Sequence, residues 1–367
     1  MQIPILNLKR HYQAIKTEID AGLAEILESQ RFIRGPQVKT LEDAIARYTG
    51  VQFAVAVNSG TDALLLALEA LNLKKDDEVI TTSFTFVATA ETILRAGAKP
   101  VFIDIDPATF NLDPAKIKPA LSPKTRGILP VHLFGLAADL SAISAVARDN
   151  GLWVLEDCAQ AFGADYRNKK VGSFGLAGAL SFFPSKNLGG FGDGGMIVTS
   201  DQKVAETARI LSEHGGKDKY NVTMLGHNSR LDTIQAAVLL AKLKHLDEWN
   251  EKRRRNAGRY RTGLNNTGDL ILPAEPLDCR HTYNQFTVRS KRRGELQNFL
   301  KEKEIGTMVY YPYPLHRQTL FQQTARVSRD LTETEKAAAE VLSLPIDPLM
   351  TEEEQNYVIS TIKEFYR

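Results

Sequence analysis

A lysine in a glycine-rich stretch is the residue of this chain with the clearest chemical potential. Lys186 follows Ser185, and five glycines lie within residues 189–195. Apolar runs at residues 179–183 and 196–199 predict a strand on each side. Glycine lets a backbone approach a ligand closely, and partial burial lowers the pKa of a lysine enough for imine formation. Taken alone, however, the stretch fits an exposed lysine in a turn at least as well.

A second cluster has the composition of a phosphate site. Residues 58–62 follow a predicted strand and open an apolar helix pattern. The first N–H groups of a helix, here at Gly60 and Thr61, commonly bind anions. A simple helix cap by Ser59 or Thr61 is the alternative. Ser181, at the end of another predicted strand, could donate a hydroxyl to the same phosphate.

Acidic, amide and aromatic side chains follow two further predicted strands. Glu156 and Asp157 end the apolar run 152–155, so we expect both carboxylates at the ligand edge of the sheet. A carboxylate there could keep a ring nitrogen protonated. Gln160 could reach the same ligand, and Phe86 could stack on a flat ring. The alternatives are a helix cap for Asp157 and core packing for Phe86.

Together these groups match the requirements of one cofactor. Pyridoxal 5′-phosphate (PLP) needs a phosphate cradle, a carboxylate for its ring nitrogen, a stacking ring and an imine-forming lysine. Residues 190–195 also fit the G-x-G-x-x-G pattern of dinucleotide sites. Those glycines should open a helix, whereas here they lead into a predicted strand. We therefore expect PLP rather than a dinucleotide.

The elements that position these residues follow an alternating pattern. Between residues 50 and 200, short apolar runs alternate with helical patterns, which predicts a mainly parallel sheet covered on both faces. Ligands bind at the carboxyl ends of such strands. Further elements are predicted at residues 232–249 (helix), 283–288 and 308–311 (strands), and 332–342 and 351–365 (helices). We expect a large α/β domain at 1–250 and a smaller α+β domain at 251–367.

Composition argues against several other classes of protein. The net charge is +2 over 367 residues, and the basic run 252–255 is typical of a solvated helix face, so no nucleic-acid partner is expected. Two cysteines, Cys158 and Cys279, favour a reducing compartment over a disulfide framework. A membrane span is not expected, because apolar runs are short. The first residues lack a signal-peptide pattern, which indicates a cytoplasmic protein.

With these motifs in place, the chain resembles the DegT/StrS family of PLP-dependent nucleotide-sugar aminotransferases, which have the aspartate aminotransferase-like fold known as fold type I. The resemblance extends from residues 30–38 to residues 310–316. The phosphate loop, ring-nitrogen motif, lysine motif and segment that reaches the neighbouring subunit are matched at residues 58–63, 156–161, 183–187 and 226–232.

The resemblance implies a role for each matched residue. Lys186 would form the imine with PLP and act as general base, and Asp157 would pair with the ring nitrogen. The remaining cofactor contacts would come from Gly60, Thr61, Phe86, Gln160, Ser181 and, from the partner chain, Asn228. Members with histidine at the lysine position are dehydrases, so that branch is disfavoured.

The resemblance also implies a reaction. An amino acid, with glutamate as the expected donor, would aminate a 3-keto sugar carried on a uridine or thymidine diphosphate, for polysaccharide, antigen or glycoside biosynthesis. Residues 310–316 look like the sugar-bordering segment of C3-acting members, with Tyr311, His316 and the partner's Arg230 as substrate contacts. Ordinary ring packing is the alternative for Tyr311.

Other features of the reaction and assembly remain open at this stage. Amination at C4 is the alternative regiochemistry, because these motifs separate the two weakly. Another fold-type-I enzyme, such as an aldolase or desulfurase, and a PLP-binding regulator without turnover are alternative functions. We expect a homodimer with shared active sites, in which the loop 217–232 lies beside the partner's cofactor.

Overall fold

A computed structural model describes residues 1–216 and 220–367, so residues 217–219 of the expected partner-facing loop lie outside it. The helices are α1 (Leu8–Ala14), α2 (Lys16–Ser29), α3 (Pro36–Thr49), α4 (Gly60–Ala70), α5 (Val87–Arg95), α6 (Ile117–Ala120), α7 (Leu140–Asp149), α8 (Gln202–Ser212), α9 (Thr233–Leu243), α10 (Leu246–Leu264), α11 (Arg293–Glu302), α12 (Thr319–Thr324), α13 (Thr332–Glu340) and α14 (Glu352–Phe365). Short 3₁₀ turns occur at Pro114–Lys116, Leu133–Gly135 and Leu315–Arg317.

The strands form one large sheet and two small ones. They are β1 (Phe53–Val57), β2 (Glu78–Thr82), β3 (Lys99–Ile103), β4 (Thr125–Ile128), β5 (Trp153–Asp157), β6 (Asp165–Tyr166), β7 (Lys169–Lys170), β8 (Ala177–Ser181), β9 (Gly195–Thr199), β10 (Cys279–Arg280), β11 (Phe286–Arg289), β12 (Arg326–Val327) and β13 (Val341–Leu344).

The large sheet is mainly parallel. Its order is β1-β9-β8-β5-β4-β2-β3-β12, and every neighbouring pair from β8 to β12 is parallel. Strand β9 alone runs antiparallel to both of its neighbours, β1 and β8. The predicted α/β class with a mainly parallel sheet is therefore confirmed, and the ends of β2, β5 and β8 meet at one edge.

Apolar side chains cover both faces of this sheet. Successive strand residues point to opposite faces. Val79 accordingly packs in a cluster with α4 and α8, whereas Ile80 packs in a cluster with α7. Helix α9 contributes Leu239 to a third buried cluster, together with Met196 of β9. The sheet is thus a rigid, covered layer that fixes where its strand ends lie.

The C-terminal third builds a separate apolar cluster. Strands β11 and β13 pair antiparallel, and their side chains pack with α10, α11 and α14. Strand β12 instead joins the large sheet through β3. Helix α10 runs through residue 250, and the division there stays a prediction.

Three expected elements differ from the structure. The strand expected at residues 308–311 is a single bridge between Met308 and Ser343, because the prolines that follow cannot donate to a strand ladder. The helix expected at 332–342 ends at Glu340, and the buried residues of β13 pair with β11 instead. The helix expected at 232–249 is two helices, α9 and α10.

Within residues 1–216 and 220–367, the helices are too short or too polar to cross a bilayer.

Candidate active site

A cavity opens at the edge where β2, β5 and β8 end. Its volume is about 450 Å³, within the usual range of roughly 300–1,000 Å³ for small-molecule sites. Eight of the residues predicted to contact cofactor or substrate lie in its lining, namely Gly60, Thr61, Phe86, Asp157, Gln160, Ser181, Lys186 and Tyr311. The sheet therefore brings together side chains that are up to 251 positions apart in sequence.

One wall of the cavity is the start of α4 against the end of β8. The Ser59 hydroxyl accepts a hydrogen bond from the Asp62 N–H at 3.0 Å and caps the helix. A Cβ atom on Gly60 would lie 2.6 Å from the Cβ of Ser181, so this close approach requires glycine. The first N–H groups of α4 and the Ser181 hydroxyl consequently face one small region, which suits an anion.

Asp157 lines the cavity at the end of β5, the strand next to β8. Its Oδ2 accepts a hydrogen bond from Thr89 Oγ1 at 2.8 Å, and its Oδ1 accepts one from the Ala159 N–H at 3.1 Å. Burial raises the pKa of Asp157, whereas these two hydrogen bonds and the charge of Lys186 oppose the rise. A cationic partner in the cavity would therefore stabilise the ionised form of this carboxylate.

Glu156 does not join Asp157 at the ligand edge, so that part of the prediction is wrong. Neighbouring strand residues alternate faces, and the Glu156 carboxylate lies among buried groups. It accepts a hydrogen bond from His132 Nε2 at 3.0 Å and three from N–H groups of residues 172–175 at 2.8 Å. His132 Nδ1 accepts from the Ala138 N–H, so Nε2 carries the proton. Glu156 holds the fold together below the site.

Lys186 reaches the cavity from a tightly anchored loop. The next side chain, Asn187, donates hydrogen bonds to Asn250 Oδ1 at 2.6 Å and to the Thr282 carbonyl at 3.2 Å. Burial lowers the pKa of Lys186 to about 8, and the charge of Asp157 partly opposes this. A larger share of the amine is therefore uncharged at neutral pH than for an exposed lysine, which is the form that attacks carbonyl groups.

Two aromatic rings and an amide also line the cavity. Gln160 Oε1 accepts a hydrogen bond from the Phe134 N–H, and Gln160 Nε2 donates one to the Tyr311 hydroxyl oxygen, both at 2.8 Å. The Phe86 ring is 56% exposed and lies 6.2 Å from the Tyr311 ring, centroid to centroid. Phe86 is therefore not a core residue in this chain, and its face is available to a flat ligand.

His316 lies outside the cavity lining. Its Nδ1 lies 2.7 Å from Ser83 Oγ, and its Nε2 lies 2.7 Å from Glu335 Oε1. Both ring nitrogens are thus engaged with protein groups. In this structure His316 ties the segment that carries Tyr311 to the end of β2.

Asn228 and Arg230 also lie away from this chain's own cavity lining. The residues on each side of Asn228 are bound to α4: His227 Nε2 lies 2.9 Å from Glu69 Oε2, and Ser229 donates to Asp62 Oδ2 at 2.7 Å. Asn228 itself is exposed and Arg230 is half-buried.

Sequence reasoning missed several lining residues: Thr85, Thr89, Asp193, Gln285 and Tyr310. The two threonines carried a usable signal, because hydroxyls four positions apart at a helix start share a face. Gln285 carried none, since its place depends on how β11 packs against the loop at Phe134.

The fold and this site define the class of PLP-dependent transferases of fold type I. A sequence profile of the DegT/DnrJ/EryC1/StrS aminotransferase family matches residues 13–363, and the chain belongs to that family.

Two proteins similar to this chain have names that indicate different functions. The chain is 51% identical to a "Pleiotropic regulatory protein" of Geobacillus stearothermophilus, covering 100% of this chain and 99% of that protein. It is 44% identical to a UDP-N-acetyl-3-dehydro-alpha-D-glucosamine 3-aminotransferase of Acidithiobacillus ferrooxidans, covering 98% and 97%.

Two solved structures connect the fold to cofactor chemistry. Streptomyces venezuelae DesV in complex with a ketimine intermediate superposes with a TM-score of 0.97 at 40% identity, covering 100% of this chain and 99% of that one. NtdA of Bacillus subtilis with bound PMP (pyridoxamine 5′-phosphate) gives 0.91 at 33%, covering 99% and 85%. The family is PLP-dependent, and several of its members that are similar to this chain are named nucleotide-sugar aminotransferases.

Proposed function

We propose that this protein is a PLP-dependent aminotransferase that converts a UDP- or dTDP-linked 3-keto sugar to the 3-amino sugar, with glutamate as amino donor. One observation supports this chemistry most strongly. Lys186, whose pKa is lowered, and the buried Asp157 line the same cavity as the wall where Gly60 packs against Ser181, which suits an anion. The sugar class is supported by the 3-aminotransferase name of the relative at 44% identity.

The lining residues fit PLP. The start of α4 and Ser181 would hold the phosphate, and no side chain other than hydrogen would fit at Gly60. Asp157 would pair with the ring nitrogen, Phe86 would cover the ring, and Gln160 would lie near its hydroxyl. When bound, PLP supplies an electron sink that its protonated ring nitrogen makes effective.

Lys186 would carry the protons of both half-reactions. Because its pKa is about 8, the amine can accept a proton from the α-carbon of glutamate and return one to the sugar carbon near neutral pH. The donor leaves as a 2-oxo acid, and its amino group ends on the sugar. Asp157 would remain ionised throughout, so its charge stabilises the cationic ring nitrogen without exchanging protons.

The sugar would lie on the Tyr310–Tyr311 side of the cavity. Tyr311 is held by Gln160, so its hydroxyl hydrogen is free to donate to a sugar oxygen. His316 would act chiefly by holding this segment in place, because both of its ring nitrogens are engaged. Arg230 of a partner chain would pair with the diphosphate.

Product analysis tests the regiochemistry. UDP-linked 3-keto and 4-keto sugars would each be incubated with the protein, PLP and glutamate, and the products examined by NMR. We expect nitrogen at C3. Nitrogen only at C4 would refute the proposed position and leave the lysine chemistry in place.

We further propose a homodimer in which each chain completes the other's site. Asn228 points outward from a segment fixed on α4, and the exposed apolar residues Val222, Met224 and Leu225 lie on the same loop. An exposed apolar loop of this kind suits an isologous contact with a second copy. Asn228 would then reach the partner's phosphate.

A mixed-dimer experiment tests shared sites. Chains with Lys186→Ala and chains with Asn228→Ala are each expected to be impaired. Mixed dimers would have one site with both lesions and one with neither, so activity should return to about half per mixed dimer. No recovery, or full activity of a monomer, would contradict the arrangement.

A PLP-binding regulator is the second candidate, favoured by the name of the relative at 51% identity. Such a protein would bind PLP through Lys186 without turning over glutamate.

We also propose a division into two domains at residue 250, which the separate C-terminal apolar cluster supports. A cytoplasmic location is a further proposal, which the low cysteine count supports.

A further inference from the structure

A short chain of hydroxyl groups ends on the carboxylate of Asp157. Thr89 Oγ1 lies 2.8 Å from Asp157 Oδ2, and Thr85 Oγ1 lies 2.9 Å from Thr89 Oγ1. All three side chains are buried, and all three line the cavity. The proposed reaction gives the two threonines no role, so their arrangement calls for a separate explanation.

Proton counting fixes the direction of this chain. An ionised carboxylate can only accept hydrogen bonds, and a threonine hydroxyl has one proton. Thr89 therefore donates its proton to Asp157, and Thr85 must donate to the oxygen of Thr89. A hydrogen bond to a charged acceptor is stronger than one between neutral groups, and successive bonds polarise one another.

The start of α5 makes the arrangement rigid. Phe86 is the residue that precedes the helix, so Thr85 and Thr89 flank its first turn and lie on one side. Both are β-branched, which restricts their side-chain rotamers. The positive end of the helix dipole also faces this region and favours a negative charge there.

Thr89 makes the hydrogen bond to the Asp157 carboxylate that a substitution can remove. Among the residues that the structure describes, the other hydrogen bond to the Asp157 carboxylate comes from the N–H of Ala159, a backbone group that substitution would leave in place. Burial works against ionisation of Asp157 and raises its pKa, and the Thr89 hydrogen bond opposes that rise. The hydroxyl of Thr89 is thus the side-chain hydrogen-bond donor that favours the ionised form of this buried carboxylate.

We propose that Thr89, supported by Thr85, is a positioning residue that holds the Asp157 carboxylate ionised and oriented toward a protonated ring nitrogen in the cavity. This inference rests on the proposed function, because it assumes that Asp157 pairs with the ring of PLP. It assigns to two threonines the control of how tightly that ring is held.

The first test is a PLP titration of the apoprotein, followed by absorbance of the bound cofactor. Thr89→Val keeps the shape and removes the hydroxyl, and we expect it to weaken PLP binding about tenfold or more, as for loss of a hydrogen bond to a charged group. Thr89→Ser keeps the hydroxyl and should bind within about threefold of the native protein. Thr85→Val should have a smaller effect than Thr89→Val.

Thr92→Val is the matched control on the same helix. Thr92 is buried, and its hydroxyl bonds to the carbonyls of Ala88 and Thr89 within α5. We expect Thr92→Val to lower the melting temperature of the apoprotein as much as Thr89→Val does, but to leave PLP affinity unchanged. Equal weakening of PLP binding by the two variants would overturn the proposal.

A double-mutant cycle separates action through Asp157 from a general structural effect. In an Asp157→Asn background, adding Thr89→Val should change PLP affinity by less than about threefold, because the charge it supports is gone. A full tenfold further loss, or native affinity of the single variant, would refute the role of Thr89. If instead the native protein gave no PLP band dependent on Lys186, the proposed function itself would fail.

Discussion

The pH dependence of PLP capture provides a quantitative test of the Lys186 environment. The pKa of Lys186 is lowered from 10.5 to about 8 by burial. At pH 7 about 0.03% of an amine with the ordinary pKa is neutral, compared with about 10% at a pKa of 8. The structure therefore predicts about 300-fold more reactive amine than an exposed lysine would offer.

Stopped-flow absorbance would measure the rate at which the apoprotein captures PLP between pH 6 and pH 10. Because the neutral amine is the nucleophile, the rate should rise with pH and level off with a midpoint near 8. The charge of Asp157 raises the pKa of Lys186, so Asp157→Asn should move the midpoint below that of the native protein.

Lys242 offers the matched control for this measurement. Burial also lowers its pKa to about 8, but it lies on α9 outside the cavity lining and donates to the Gly189 carbonyl at 2.6 Å. Lys242→Met should leave the midpoint unchanged. A native midpoint near 10.5, or a midpoint that moved with Lys242 and not with Asp157, would refute the reasoning.

Three further predictions concern residues around the site. Lys242→Met should raise the free energy of unfolding at pH 7 by about 1–2 kcal/mol, because relief of a penalty of about 3 kcal/mol exceeds the lost hydrogen bond. The pKa of Lys242 is lower in the folded protein than in the unfolded chain. The free energy of unfolding of the native protein should therefore also rise between pH 8 and pH 10.5, which urea titrations would measure. Glu156→Gln should lower the free energy of unfolding by about 3 kcal/mol, because an amide cannot accept all four hydrogen bonds of the carboxylate; an unchanged urea midpoint would contradict this. His316→Ala should raise the KM for the nucleotide sugar several-fold and leave kcat within about twofold, because it loosens the sugar-side segment; a collapse of kcat with unchanged KM would show that His316 acts in the chemistry.

The parallel sheet and eight residues of the cavity lining could be predicted, because the strands are strongly apolar and most of these residues directly follow them. Lys186, Asp157 and Ser181 each lie at or just after a strand end, and strand ends of a parallel sheet share an edge. Position along the chain was therefore enough to place them together. The structure places all three residues in the lining of one cavity.

Side-chain direction and long-range pairing were harder to predict. Glu156 and Asp157 are adjacent and chemically alike, and only the pairing of β5 decides which of them faces the cavity. His316 looked available for a ligand, yet Ser83, just after β2, and Glu335 of α13 contact its two ring nitrogens. Strand β13 has a sequence that continues a helical pattern, and its partner β11 lies about 55 residues earlier, as in the Phe286–Leu344 pairing.

The most direct test of the central claim is an absorbance experiment on the PLP-loaded protein. Glutamate should bleach the absorbance band of bound PLP and release one 2-oxoglutarate per site, and a UDP- or dTDP-linked 3-keto sugar should then restore the band. The Lys186→Ala protein should show neither change on the time scale of native turnover. A band that persists in excess glutamate, or native-like cycling without Lys186, would contradict the account.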